Sequence, residues 1–319
     1  MKIFIIGGAG YVGSHMVKIA NKAGHEVITL DNLSTGHQDA VLYGQFEFCD
    51  ILDMAKLNSL FVKHQPDAVM HFSAYSLVGE SVSDPYKYYH NNVSGTLSLL
   101  KIMVDNNCLK FIFSSSAAIF GNPVYTPIDE DHPKQPINPY GKSKLMVEEI
   151  LKDFDSAYGL KYISFRYFNA AGHDPDRELS ERHNPETHLL PIIMQAANGQ
   201  RESVRIFGTD YDTSDGTCVR DYIHVNDLAN AHLKGLNYLN KSESQSEEFN
   251  LGNGNGFSVR EVIQKVKEIT NKDFKVVEEG RRDGDPSTLI ANDARAKQVL
   301  KLQPSFSNLE EIIQTLNNK

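Results

Sequence analysis

The sequence predicts an α/β protein: a doubly wound parallel sheet followed by a smaller mixed α/β unit. Three observations carry this expectation. Short apolar runs rich in β-branched and aromatic residues alternate with helical patterns from Lys2 to about Tyr167, as in strand–helix–strand repeats. The first repeat carries a glycine triplet between strand and helix, Gly7-x-x-Gly10-x-x-Gly13. A polar segment with His and Pro, Gly172 to Thr187, then breaks the alternation. The expected division is therefore 1–168 and 169–319, with the segment of about 219–239 returning to pack on the first unit. A chain of 319 residues that is 40% hydrophobic has the length and apolar content for both.

Lys2 to Ile6 reads as a buried parallel strand. After the glycines, a helical pattern runs from Ser14 to Ala23, and Val27 to Leu30 forms a second strand ending at Asp31. Glycines there let the backbone approach a pyrophosphate at the helix N-terminus, the arrangement of a dinucleotide-binding Rossmann unit. Asp31 can accept hydrogen bonds from ribose hydroxyls and would repel a 2′-phosphate, which favours NAD over NADP. Phe46 to Cys49 reads as a third strand. Asp50 after it either meets the adenine amino group, with Ile51 on the ring, or caps the helix of Leu52 to Val62. Asp67 to Phe72 is a fourth strand, followed by the small residues Ser73 and Ala74; His71 reads as a packed strand histidine. A long helix spans Tyr88 to Asp105, with Asn91 near its start as a cofactor contact or a surface amide. Phe111 to Phe113 is a fifth strand, and one of the hydroxyls of Ser114, Ser115 and Ser116 can reach a substrate. Asn122 to Pro139 carries five prolines and suits a loop over the site. A helix from Tyr140 to about Tyr158 and a sixth strand, Tyr162 to Tyr167, complete the first unit.

Beyond 169 the pattern gives a helix (Leu189 to Asn198), a strand (Val204 to Phe207), the strand-like Val219 to Val225 and a helix from Asn226 to Leu239. Lys241 to Glu248 reads as an exposed loop. A helix from Ser258 to Thr270, a strand from Phe274 to Val277, a charged turn at Arg281 to Asp285 and two short helices follow.

Tyr140 and Lys144 stand four residues apart in a helical pattern, which puts both on one face. A phenol titrates at about 10 in water. A cation beside it favours the phenolate, so the pair can act as a general base near neutral pH. About one Tyr-x-x-x-Lys is expected by chance in a chain of this composition. The pair gains weight from the nucleotide site upstream and the serines of the fifth strand.

The net charge of −9 argues against a nucleic-acid or anionic-membrane binder. The three cysteines, Cys49, Cys108 and Cys218, form no CxxC or Cys/His metal spacing, so no metal is expected and a reducing cytoplasm is. The amino terminus is too short in apolar residues for a signal segment, and no run approaches membrane-spanning length.

Several segments together resemble the extended short-chain dehydrogenase/reductase family, and within it the epimerases that act on UDP-sugars. They include Gly7 to His15, Leu30 to Ser34, Leu77 to Ser81, Asn91 to Val93, Phe113 to Ser116 and Asn138 to Lys144. Arg166 to Asn169, Val219 to Val225 and Arg281-Arg282-x-Gly-Asp285-Pro286 match as well, so the resemblance spans nearly the whole chain. It implies tightly held NAD and a redox-neutral inversion at sugar C4 that interconverts UDP-galactose and UDP-glucose. Tyr140 would take the O4 proton, Lys144 would bond the nicotinamide ribose and depress the Tyr140 pKa, and Ser116 would hold the sugar oxygen or relay its proton.

The same resemblance implies cofactor contacts at Gly7, Gly10, Tyr11, Val12 and Gly13, at Asp31, Asn32, Leu33, Ser34, Thr35 and Gly36, and at Asp50 and Ile51. Phe72, Ser73, Ala74, Asn91 and Phe168 join them, with Ser116, Tyr140 and Lys144 shared between cofactor and chemistry. For the UDP-sugar it implies Arg220 and Arg282 on the pyrophosphate. Asn169, His188, Leu189, Phe207, Tyr222 and Asp285 would position phosphate, uracil and ribose, and Leu289 would bound the sugar pocket. Two positions depart from the family pattern. Ser76 replaces a lysine that reaches the cofactor phosphate in some members, which predicts a differently anchored NAD. Leu289 stands where some members carry tyrosine and others a small residue, so N-acetylated UDP-sugars are a further expected substrate. A homodimer through the helices beginning at Asn91 and Tyr140 is also implied.

Two other readings compete. A 4,6-dehydratase needs an acid/base pair beside the serine position, where this chain has Ala117-Ala118. Another nucleotide-sugar epimerase of the family remains open, as does a non-catalytic NAD-binding regulator, against which Ser116, Tyr140 and Lys144 argue.

Overall fold

The computed structural model describes residues 1–282 and 284–317; Asp283 of the anticipated charged turn lies outside them. The chain opens with β1 (Lys2–Ile6), α1 (Tyr11–Lys22), β2 (Glu26–Asp31), β3 (Gln45–Phe48), α2 (Met54–His64) and β4 (Ala68–His71). Short helices α3 (Val78–Ser83) and α4 (Pro85–Tyr88) lead to α5 (Thr96–Asp105), β5 (Lys110–Ser116), α6 (Pro139–Tyr158) and β6 (Lys161–Tyr167). Then come β7 (Asn169–Ala171), α7 (Leu189–Ala197), β8 (Ser203–Phe207), β9 (Val219–His224), α8 (Val225–Leu239), β10 (Glu247–Leu251) and β11 (Gly256–Ser258). The last elements are α9 (Val259–Thr270), β12 (Lys275–Glu279), β13 (Thr288–Leu289), α10 (Ala294–Leu300) and α11 (Leu309–Asn317).

Seven parallel strands form the central sheet in the order β10-β6-β5-β4-β1-β2-β3. The order reverses between β1 and β4, which opens a crevice at their carboxyl ends where ligands bind in such sheets. Strand residues alternate between two fully covered faces, as parallel sheets require. Ile3 and Ile5 pack with Met16 and Val17 of α1 and Leu228 and Leu236 of α8. Phe4 and Ile6 pack with Phe61 of α2, Leu99 and Met103 of α5, and Val147 and Leu151 of α6.

The seventh strand was not anticipated. β10 pairs in parallel with β6, Phe249 opposite Phe165, so the α8–β10 unit from beyond residue 169 belongs to the central sheet and Glu248 lies within a strand rather than in an exposed loop. Glu-Glu-Phe-Asn-Leu carries two charges in five residues, which conceals a strand from a reading based on apolar runs. A second difference lies in the helix from Tyr88 to Asp105. Its Tyr89–Gly95 stretch is wound as a π-helix, a rare form that is frequent at functional sites.

The smaller unit is built on β9, which pairs with β11 and β13 and also with β7; β8 and β12 form a separate parallel pair. Its own core joins Ile193 and Met194 of α7, Val204 of β8, Val262 and Val266 of α9, and Ile312 and Ile313 of α11. Among the described residues, no helix is long and apolar enough to cross a membrane.

Candidate active site

α6 starts sharply at the site. Asn138 accepts a hydrogen bond from the Gly141 N–H at 2.9 Å, and Pro139 occupies the first turn, where its missing N–H costs nothing. A Cβ at Gly141 would stand 2.4 Å from the Ala118 carbonyl oxygen, so glycine lets this turn press against the segment that follows β5. That approach sets the Tyr140 phenol beside Ser116, which acts to lower its pKa. One turn on, Lys144 is buried, donates to the Ser114 carbonyl at 2.7 Å and stands 5.8 Å from the Tyr140 ring centroid. The three residues expected to carry the chemistry thus converge at the carboxyl end of β5.

The electrostatics differ from expectation. Burial pushes the Tyr140 phenol up, with the Ser116 hydrogen bond acting the other way. Burial brings the Lys144 ammonium down to about 7, opposed by Glu148. In the protein alone, Lys144 therefore does not make Tyr140 a phenolate, since a group that has itself lost much of its charge cannot strongly favour its neighbour's anion. His71, buried and 2.9 Å from the Thr96 hydroxyl, is lowered to about 3 first by burial and then by Lys144, so it is a neutral strand histidine.

Beneath this group lies a buried network not foreseen from sequence. Arg166 of β6 and Glu148 of α6, both with fully buried side chains, form an ion pair at 2.7 Å. Glu148 also accepts from Ser115 at 2.6 Å, and Arg166 bonds Glu248 of β10 as well. The available signal was an arginine in the middle of an apolar strand, a position that needs a buried partner.

On the cofactor side, a crevice is lined by Gly7, Gly10, Asp31, Asn32, Ser34, Thr35, Phe72, Ser73, Ala74 and Asn91, all expected, and by Tyr75, which was not. A Cβ at Gly13 would lie 2.1 Å from the Gly7 carbonyl oxygen, so only glycine permits this turn. Gly10 precedes α1 with no side-chain cap, which leaves the first-turn N–H groups facing the crevice. Asp31 accepts from the Ala9 N–H at 3.0 Å and the Leu33 N–H at 2.8 Å, tying the glycine loop to the end of β2. Gly36 folds against Ala9. Asp50 does not cap α2; Asp53 does, accepting from the Lys56 N–H at 3.0 Å. Asp50 instead accepts from Asn32 at 2.8 Å and from the Leu52 N–H at 2.8 Å, while Ile51 packs against Gly95. Asn92 holds Tyr75 through its main chain, accepting at 3.0 Å and donating at 3.0 Å. A glycine cradle, uncapped helix N–H groups and a carboxylate at the end of the second strand fit a dinucleotide.

On the opposite side, Asn169, Tyr222, Arg220 and Leu289 come from adjacent strands in register: Asn169 opposite Tyr222, and Leu289 opposite Arg220. Arg220 stands 3.6 Å from Asp285, and the Arg282 guanidinium lies over the Phe207 ring at 3.7 Å. Leu289 and Phe168 pack beside Ile119 and Phe120. Asp221, between the expected Arg220 and Tyr222, fastens this region: it accepts from the main chain of Asn253 at 2.8 Å, of Gly254 at 3.1 Å and of Ala291 at 3.1 Å. His188, just before Leu189, is engaged at 2.8 Å with Glu181 and 3.0 Å with Glu186. Burial alone would lower its imidazole, but the two carboxylates raise it to about 10.

The chain is similar to known proteins over nearly its whole length. Residues 3–252 match the model of the NAD dependent epimerase/dehydratase family. The UDP-glucose 4-epimerase of Halalkalibacterium halodurans is 49% identical over 98% of this chain and 94% of its own length. A crystal structure of UDP-glucose 4-epimerase from Brucella ovis in complex with NAD superposes with a TM-score of 0.95 at 47% identity, covering 98% of this chain and 96% of that one. The UDP-Glc/GlcNAc 4-epimerase of Campylobacter jejuni has a TM-score of 0.86 at 43% identity over 98% of this chain and 97% of its own.

Proposed function

The chain belongs to the NAD dependent epimerase/dehydratase family, and from that premise we propose that it interconverts UDP-galactose and UDP-glucose by inverting C4 of the sugar. It is an isomerase, and NAD is its cofactor. The observation that carries the reading is the meeting of Ser116, Tyr140 and Lys144 between a glycine cradle and a pair of arginines.

NAD supplies reversible hydride uptake at C4. The protein's part is proton handling and positioning. Tyr140 would be ionised once the positive nicotinamide is bound beside it; its Oη would then take the O4 proton as C4 becomes a ketone and return it when the sugar is reduced on its other face, so no net oxidation results. Ser116, beside Tyr140, orients the sugar oxygen. Lys144 changes its proton easily because burial has already brought its pKa to about 7, and the Ser114 carbonyl fixes where its Nζ points. Affinity sits on UDP, through Arg220, Arg282 and the residues around them, so the sugar is free to turn while the ketone stays bound. Asp31 sets the cofactor ribose.

Incubating the purified chain with UDP-galactose and no added NAD, and following UDP-glucose by nuclear magnetic resonance, tests both the activity and cofactor retention. Product is expected. No product after NAD is supplied would reject this substrate pair.

A second substrate class is favoured by one position. Leu289 is intermediate in bulk between the alternatives of the family, and a relative at 43% identity is a UDP-Glc/GlcNAc 4-epimerase. We propose that N-acetylated UDP-sugars are also turned over; an enzyme active on UDP-galactose but inert on UDP-N-acetylgalactosamine would refute this. We further propose a homodimer through α5 and α6. A hollow lined by Val93, Pro136, Leu145, Met146 and Ile150 and the exposed Leu97 support it, and sedimentation as a monomer at micromolar concentration would refute it. The three buried free thiols suit a reducing compartment, the cytoplasm.

A further inference from the structure

Away from the proton-handling group, four side chains converge, of which His188 alone was expected beside the nucleotide and the other three have no part in the reaction. Glu181, His183, Glu186 and His188 bring one potential ligand atom each to within 4.8 Å of the others. We propose that they bind one zinc-class divalent transition-metal ion per chain, a structural site that fastens the 181–188 segment across the cleft.

The four groups pair with one another as they stand, and a metal ion that displaces the imidazole protons would take them as ligands. The Nδ1 atoms of His183 and His188 both point at the same oxygen of Glu181, at 2.9 and 2.8 Å. The other oxygen of that carboxylate has no partner, although the side chain is only 1% exposed. An unpaired buried polar atom is destabilising, and a cation among the four groups removes that cost. Glu186 closes the set, with its oxygens 3.0 Å from His188 Nδ1 and 4.0 Å from His183 Nδ1. A tetrahedral site with bonds of about 2.0–2.2 Å holds its ligand atoms roughly 3.3–3.6 Å apart. The observed separations bracket that spacing, so the side chains need only small adjustments.

Two imidazoles select a transition metal over calcium or magnesium, which prefer oxygen ligands alone. Two carboxylates balance a double positive charge. Four protein ligands leave no position open, the mark of a structural site. The neighbouring acidic group, Asp174, Asp176 and Glu178, differs: Lys18 already contacts all three, at 2.5, 2.8 and 2.7 Å.

The placement gives the ion a purpose. Arg182, between two of the ligands, pairs with Asp39 at 2.8 Å, and its carbonyl lies 3.1 Å from His37 Nε2. The His183 ring lies 6.1 Å from that of Tyr11 at the start of α1. His188 directly precedes α7. An ion here would fix the 181–188 segment, which already contacts the loop after β2 and the first turn of α1 and leads into α7.

The full chain, produced with zinc supplied and dialysed without chelator, is expected to carry about one zinc per chain by elemental analysis. X-ray absorption should show a nitrogen/oxygen shell with imidazole scattering. The His183→Ala/Glu186→Ala double variant should hold less than about a tenth of that zinc, while its circular dichroism remains that of the parent. Three results would overturn the proposal: no retained zinc and no binding when zinc chloride is titrated into the protein, a sulfur-containing shell, or unchanged zinc in the folded double variant. The X-ray absorption of the parent decides the matter if the variant does not fold. None of these readouts depends on which sugar is the substrate.

Discussion

The two sides of the cleft are built on opposite plans. The side expected to take the cofactor is made of main chain and small residues at the ends of central-sheet strands: Gly7, Gly10, Ser73 and Ala74, with Asp31 anchored by two N–H groups. The side expected to take the nucleotide sugar is made of charged and aromatic side chains on strands and loops of the smaller unit: Arg220 against Asp285, Arg282 over Phe207, His188 between two glutamates. A main-chain cradle has one shape and tolerates no added atom. A side-chain site can be reshaped one residue at a time, which suits the part that chooses the substrate. Tyr140 stands where the two plans meet, and the expected effects of substitution follow that division.

The largest effect is expected at the junction. Tyr140→Phe removes the proton acceptor and should lower kcat by about 10²–10⁴-fold, with UDP affinity by calorimetry and bound NAD by absorbance both retained. Loss of UDP binding in this variant would mean that Tyr140 holds the nucleotide rather than the proton.

Next comes the cradle. Gly13→Ala places a methyl 2.1 Å from the Gly7 carbonyl oxygen, so the loop must shift. NAD should no longer copurify, and its affinity should fall by at least about tenfold, roughly the 1.4 kcal/mol that corresponds to one decade. An alanine variant that retains NAD would show that the cradle is as adaptable as the other side.

A smaller and different change is expected opposite. Arg220→Ala should raise KM for the UDP-sugar by about 10–100-fold, the range of a charged hydrogen bond, and leave copurified NAD unchanged. If NAD were lost instead, the contrast between the sides would fail.

The smallest effect is on stability. The unfolded chain keeps the Lys144 proton to about pH 10.4, whereas the buried group releases it near 7. Between those values the unfolded state binds more protons, so this lysine makes the NAD-free protein more stable as pH rises from 7 towards 10. In Lys144→Met, the gain in Tm of NAD-free protein between about pH 7 and pH 9 should be smaller than in the parent. An unchanged gain would show that Lys144 keeps its full charge.

Legibility followed the same division. The glycine triplet, Asp31 and the residues after β4 were readable because each depends on neighbours in the chain: a strand, a turn and a helix following one another. Tyr140 and Lys144 were readable as a pair because one helical turn sets their spacing. The state of Lys144 was not, since it depends on burial by β5 and on Glu148. The strand β10 was missed because its identity comes from pairing with β6, about 80 residues earlier. Asp221 was missed because its three donors come from residues 253, 254 and 291.

By itself, then, the sequence determined the alternation of strands and helices, the glycine turn, the carboxylate at the end of β2, and the spacing of Tyr140 and Lys144. These rest on local sterics and periodicity, which are properties of a short stretch of chain. The tertiary structure alone decided that β10 completes the sheet, that Arg166 finds Glu148 and Glu248, that Lys144 is dry enough to approach neutrality, and that Glu181, His183, Glu186 and His188 face one another. Those depend on solvent exclusion and on contacts between distant segments, and both exist only once the chain has closed around them.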